Sequence, residues 1–246
     1  MCHKIKEGAI FISDAHESDI RDGFYNFLLL LEKEEIATPQ LFLMGDMFDL
    51  LVGKVENCVK KYEKYINLLE KLAQKFEIYY FEGNHDFCLE DIFLHVKVIP
   101  ISKQPMLFSF EDDTHCLLSH GDKYGGLFHS LFTRVIRSKG ILKLLNLYDK
   151  LVKYKLSNKI ERDLLHKNIC QKIENFQQII EDKINQYNVQ NCKYIVEGHY
   201  HQNQQFQVKE INYINFSSFA CNQSYFIVEL SQGAKFAQKK LRGCNV

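Results

Sequence analysis

The chain has 246 residues, 46% of them hydrophobic, enough to bury the core of one large domain without forcing a second. Its 31 Lys and Arg balance 31 Asp and Glu, and no run of eighteen apolar residues occurs, which excludes a membrane-spanning helix. The N-terminal MCHKIKEG carries no signal-type apolar segment, so the expected location is the cytoplasm.

The first strand, Ala9 to Ile12, runs into Ser13-Asp14-Ala15-His16. Ile20, Phe24, Phe27, Leu28 and Leu31 recur at helical spacing and predict a helix over residues 19–35. Pro39 bars a helix from running into Leu41 to Met44, whose continuous apolarity is that of a strand buried on both faces. That strand stops at Gly45 and is followed by two carboxylates, Asp46 and Asp49. Val55, Val59, Tyr62, Ile66, Leu69, Ala73 and Phe76 predict one more helix, which returns the chain to a strand over residues 78–81 and then to Glu82-Gly83-Asn84-His85-Asp86. These are βαβ units.

From residue 93 the texture becomes short β segments, Val96 to Ile99, Met106 to Phe110 and His115 to Leu118, the last ending in Ser119-His120-Gly121-Asp122. Residues 123–187 are almost free of strand signals. They carry three apolar stripes, over residues 127–136, 144–152 and 165–187, with breaks at Gly140 and Ser157-Asn158, and predict a helical cap inserted into a single domain spanning residues 1–246. Strands resume at Lys193 to Val196, which run into Glu197-Gly198-His199-Tyr200-His201, and continue at Phe206 to Lys209, Tyr213 to Phe216 and Tyr225 to Leu230. The predicted class is a mixed α/β fold with two packed sheets flanked by helices. The eight cysteines show no CxxC pair or metal-type spacing; the expectation is free thiols packed as small hydrophobes, Cys88 and Cys221 included.

Five apolar runs thus end in clusters of Asp, Asn or His. A single Asp after a strand reads most simply as a helix cap, but five such clusters at strand ends point to one site. Carboxylate and amide oxygens mixed with imidazole, without thiolate, suit divalent ions such as Mn²⁺, Fe²⁺ or Zn²⁺, and the donors suffice for two ions. Residues two apart on extended chain face the same way, so Asp14 can converge with His16, and His199 with His201.

In order, the blocks SDAH, GDMFD, GNHD, SHGD and GHYH resemble the five motifs of the calcineurin-like metallophosphoesterase superfamily, and they stretch over residues 13–201. The resemblance implies a four-layer sandwich in which Asp14, His16 and His201 hold one metal, Asn84, His120 and His199 hold the other, and Asp46 bridges them. It also implies that His85 faces the substrate phosphate; His85 and Asp86 are the expected catalytic residues, with Asp86 or a backbone carbonyl holding His85 against the site. Length and motif context are similar to one branch, the UDP-2,3-diacylglucosamine diphosphatases of lipid A synthesis. The chain departs from that branch at His85, where Arg is usual, and at Ala15, where Leu is usual.

The cap carries thirteen Lys or Arg against six Asp or Glu, a net +7 that the rest of the chain balances. A solvated helical face is the simplest meaning of any one lysine. The cap as a whole suits an anionic substrate with apolar chains, or the inner face of an anionic membrane to which the protein binds peripherally. The expected acyl contacts are Leu127, Phe128, Leu131 and Phe132. Nucleic acid is not an expected partner, because no aromatic stacking platform accompanies the basic residues. Oligomeric state is not readable. The expected activity is hydrolysis of a phosphate anhydride or ester by two divalent ions, with Mn²⁺ favoured. The alternatives are another phosphodiester, nucleotide or phosphoprotein substrate, and a non-catalytic scaffold with the same fold.

Overall fold

The computed structural model describes residues 3–123, 133–187, 191–231 and 233–241. Two six-stranded mixed sheets carry the fold. The first has the order β14 (Lys235–Lys240), β13 (Ser224–Glu229), β2 (Ile10–Ile12), β3 (Gln40–Leu43), β5 (Glu77–Phe81), β7 (Lys97–Ile99). The second runs β1 (His3–Lys4), β8 (Met106–Ser109), β9 (His115–Ser119), β10 (Cys192–Glu197), β12 (Ile211–Asn215), β11 (Gln204–Val208). Strands β2, β3, β5 and β7 are parallel, as are β9, β10 and β12, so each sheet presents several carboxyl ends on one edge.

Alternation along the strands builds the layers. Phe11, Phe42, Tyr79 and Phe81 point into the space between the sheets, where they meet Phe108, Cys116, Leu118, Tyr194 and Val196 from the second sheet. Phe42 stacks on Phe11 and Tyr79 with ring centroids 4.3 and 4.9 Å apart. The intervening residues, Ile10, Ile12, Leu41, Leu43, Ile78 and Tyr80, face outward onto α1 (Gly23–Glu32) and α3 (Glu63–Ala73) through Phe24, Phe27, Leu28, Leu69 and Leu72. On the far side, Leu117, Ile195 and Tyr213 pack against the helix Phe176–Ile184. The result is helix, sheet, sheet, helix.

Several elements differ from their predicted extents. The helix expected over residues 55–76 is two, α2 (Glu56–Lys61) and α3, because Tyr62 leaves helical geometry between them. Its hydroxyl is held by the Glu17 carbonyl and the Glu161 carboxylate. The cap contains helices Lys139–Leu151 and Lys155–Leu165, so the break falls at Lys153 and Tyr154, both with positive φ, and not at Ser157-Asn158. The third stripe is not one long helix either: residues 166–175 form a loop that reaches back to the strand ends. A parallel pair of short strands, β4 (Leu51–Val52) and β6 (Asp86–Phe87), was not foreseen, and it clips the loop after β3 to the loop after β5. No helix among the described residues is long and apolar enough to cross a membrane.

Candidate metal centre

The carboxyl ends of β2, β3 and β5 meet those of β9 and β10, and all seven side chains expected to ligate metal lie in the loops there. Donor atoms of Asp14, His16 and His201 lie within 4.8 Å of one another, and so do those of Asp46, His120 and His199. His201 Nε2 is 3.0 Å from Asp14 Oδ1, and His120 Nε2 is 3.3 Å from Asp46 Oδ2. Nε2 of His16 and Oδ1 of Asn84 are buried with no hydrogen-bond partner, and Nε2 of His120 and of His201 meet the carboxylates of their own clusters. Buried polar atoms without partners are costly, and their convergence with these clusters in one place is the signature of a site built for cations. The residues present therefore fit a pair of divalent ions.

The ring orientations are fixed from behind. His120 Nδ1 donates to the Met44 carbonyl at 2.8 Å and His201 Nδ1 to the Ile169 carbonyl, which leaves Nε2 of each ring facing inward. Asp49 lies behind His16, with Oδ1 3.3 Å from Nδ1, and is itself gripped by Arg21. Burial pushes the Asp46 carboxyl up, but the imidazoles of His120, His85 and His16 outweigh it and hold the group well below the ordinary range. Burial, joined by the charge of His120, takes His199 down to about 4, so it presents the neutral ring that ligates metals. The glycines of the motifs make room: a Cβ on Gly83 would lie 2.1 Å from Asp46 Oδ1, and one on Gly198 would lie 2.0 Å from Ser13 Oγ.

His85 belongs to neither three-residue group. Its Nδ1 donates to the Asp49 carbonyl at 2.8 Å and its backbone N–H donates to Asp46 Oδ1. The carbonyl, and not Asp86, therefore orients it. The Asp86 carboxylate accepts instead from the backbone N–H groups of Asp46, Met47 and Gly83 and from the Tyr80 hydroxyl. These contacts hold the Asp46 loop in shape.

Glu197 and Lys183 went unforeseen. Glu197 is fully buried beneath His199 and accepts from Ser119, Lys183, Tyr187 and Tyr213. The Lys183 ammonium also donates to the Gly121 carbonyl at 2.6 Å, tying the cap helix to the residue after His120. A signal did exist, since Lys183 interrupts the apolar stripe Phe176, Ile180, Ile184, Tyr187 on its buried face.

The four expected acyl contacts, Leu127, Phe128, Leu131 and Phe132, lie outside the described residues. A cavity of about 460 Å³ nonetheless opens beside the centre. Asn84, His85 and His199 form its polar end, and Val52, Phe87, Ile136, Leu145, Ile160 and Leu164 are among its apolar walls.

The free-thiol expectation fails for two cysteines. Cys170, in the loop over residues 166–175, forms a disulfide with Cys221, a pairing 51 residues apart that spacing alone could not reveal. Cys58, Cys88, Cys116 and Cys192 are free. The bond joins the loop whose Ile169 carbonyl holds His201 to the helical turn Phe219–Asn222, where Phe219 and Ala220 donate to the Ser13 and Asp14 carbonyls. Dithiol reduction, or Cys170→Ser, is expected to lower unfolding free energy by about 2–4 kcal/mol, the range for closing a loop of this length. Denaturant titration checks this; an unchanged midpoint would mean that the bond does not form in solution.

A family model for calcineurin-like phosphoesterases matches residues 9–203. Relatives with the name UDP-2,3-diacylglucosamine hydrolase include one from Coxiella burnetii, 24% identical over 196 residues that cover 78% of this chain and 79% of that protein. Another, from Haemophilus ducreyi, is 25% identical over 198 residues, 78% of this chain and 82% of that protein. Among solved structures, a phosphoesterase from E. coli aligns at 17% identity with a TM-score of 0.44, over 95% of this chain and 99% of that one.

Proposed function

The chain belongs to the calcineurin-like phosphoesterase family, and we propose that within it this protein hydrolyses UDP-2,3-diacylglucosamine to UMP and 2,3-diacylglucosamine 1-phosphate. It is a metal-dependent phosphoesterase, distantly homologous to hydrolases named for that substrate. The observation that carries the narrower reading is the apolar cavity whose polar end is formed by Asn84, His85 and His199. A small phosphate ester has no use for such a wall, whereas a diphosphate bearing acyl chains needs a charged centre and an apolar slot side by side.

In this reading Asp14, His16 and His201 would hold one ion, Asn84, His120 and His199 would hold the other, and Asp46 would serve both, in a single domain capped by residues 123–187. The ions, Mn²⁺ by preference with Fe²⁺ or Zn²⁺ as alternatives, supply Lewis acidity toward a phosphoryl oxygen and lower the pKa of water. His85, held by the Asp49 carbonyl, contacts a phosphoryl oxygen from the cavity side. The cavity walls exclude water and receive the acyl chains. The helix Lys139–Leu151 leaves Leu144, Leu147 and Leu151 exposed, at 70%, 57% and 74%, among cap lysines, which supports peripheral docking on an anionic bilayer.

Two wall residues allow a test without damage to the core, since Leu145 and Ile160 are 40% and 41% exposed. Leu145→Asp with Ile160→Asp is expected to reduce kcat/KM on the nucleotide lipid by roughly 10- to 100-fold, the worth of one or two buried aliphatic side chains. Bis(p-nitrophenyl) phosphate, which has no acyl chain, should be hydrolysed as before. Equal losses on both substrates would contradict an acyl slot.

A further inference from the structure

Arg137 follows a helical turn at 133–136, and its guanidinium lies over the Phe87 ring, 5.3 Å from the centroid. One nitrogen, Nη2, donates to the Gly83 carbonyl at 2.7 Å and stands 3.4 Å from Asp122 Oδ2. The other two, Nε and Nη1, are buried without a partner, on a side chain that is only 9% exposed. A guanidinium cannot shed its charge by losing a proton, so unspent donors here cost stability unless an acceptor arrives. The group is thus a rigid fork, fixed at one corner and short of oxygens.

Its place suggests which oxygens. Gly83 precedes Asn84, one of the proposed ligands, and Arg137 lines the apolar cavity together with Asn84 and His85. Among the described residues, Lys167 is the one other Lys or Arg lining that cavity. Arg137 also lines a second cavity, of about 440 Å³, where Lys123, Arg134 and Lys139 face Glu82, Glu90 and Asp91. It therefore stands where the two cavities adjoin, in the same lining as Asn84 and His85.

We infer that Arg137 binds the phosphate that leaves, the second phosphate of a diphosphate-linked substrate, and so selects an anhydride over an ester with a single phosphate. This rests on the proposed substrate. Water adds to one phosphorus and releases a proton to solvent, the bond from that phosphorus to the bridging oxygen breaks, and the oxygen departs with its electron pair on the second phosphate. That phosphate gains negative charge as the bond breaks, and a planar fork of N–H donors is the protein group best shaped to receive it.

The test uses Arg137→Gln, which is shorter and loses the charge, the fork and the Gly83 contact made by Nη2, with Arg137→Lys as the variant that keeps charge and most of the reach. Each is assayed with UDP-2,3-diacylglucosamine and with bis(p-nitrophenyl) phosphate, alongside metal content and the affinity for inorganic pyrophosphate. Arg137→Gln is expected to lose roughly 10- to 100-fold on the anhydride and in pyrophosphate affinity, the worth of one hydrogen bond to a charged group. Phosphodiester turnover and metal content should stay unchanged, and Arg137→Lys should fall between. Equal loss on both substrates, or loss of metal, would mean that Arg137 merely props the Gly83–Asn84 turn, and would overturn the inference. If the unmutated protein ignores the nucleotide lipid, the substrate reading fails first. Pyrophosphate affinity then decides separately: weakened in Arg137→Gln it sustains the anion contact, and unchanged it removes it.

Discussion

Asp46→Asn is expected to abolish hydrolysis, by at least about 10³-fold, because losing a mere support behind a ligand already costs 10–100-fold in metal affinity. The substitution is nearly isosteric, and the amide oxygen can still accept the His85 backbone N–H that Asp46 Oδ1 accepts at 2.8 Å. The loop itself is held by Asp86 through the backbone N–H groups of Asp46 and Met47, so it should keep its shape. What disappears is the negative charge facing His120, His85 and His16. Elemental analysis should find fewer than two ions per chain, with an unchanged circular dichroism spectrum. Near-normal turnover with full metal content would show that Asp46 does not bridge.

His85→Ala should behave differently, losing about 10²- to 10⁴-fold in kcat, the usual worth of an acid–base group, while both ions remain bound. The distinction follows from geometry: His85 lines the cavity and donates to the Asp49 carbonyl, and it stands apart from both clusters of converging donors. His85→Arg is the sharper variant. Substantial activity retained on the nucleotide lipid would mean that the position needs a cationic contact more than a proton donor, whereas loss of an ion in His85→Ala would make the residue a ligand.

The blocks proposed to hold metal were legible because each sits where an apolar run stops, and strand ends are set by the hydrophobic pattern. How the ligands converge was not legible. Asp14, His16, Asp46, His199 and His201 all have positive φ, so the DxH and HxH pairs do not lie on extended chain as their two-residue spacing suggested. Such conformations are imposed by neighbours, among them the hydrogen bonds from Asp14 and His16 backbone N–H groups to the Gly45 and Asp46 carbonyls. Of the two groups expected to hold His85, the contact is made by a carbonyl, that of Asp49: successive residues of an extended chain face opposite ways, and the Asp86 carboxylate turns inward to Tyr80. The third cap stripe misled because Ile169 and Ile173 continue the helical spacing from Leu165, the last residue of a helix, while their own chain runs as a loop, held by Gln202 and by the Cys170–Cys221 bond. β14, reading Lys-Phe-Ala-Gln-Lys-Lys, has little apolar content to announce it and is a strand because β13 offers it a full ladder.

The claim that this metal-dependent phosphoesterase acts on a nucleotide lipid is tested most directly by incubating the purified, Mn²⁺-loaded protein with UDP-2,3-diacylglucosamine and identifying the products by mass spectrometry. The account predicts UMP and 2,3-diacylglucosamine 1-phosphate in equal amounts, formed only while metal is present; recovery of intact substrate by a preparation that still hydrolyses bis(p-nitrophenyl) phosphate would contradict it.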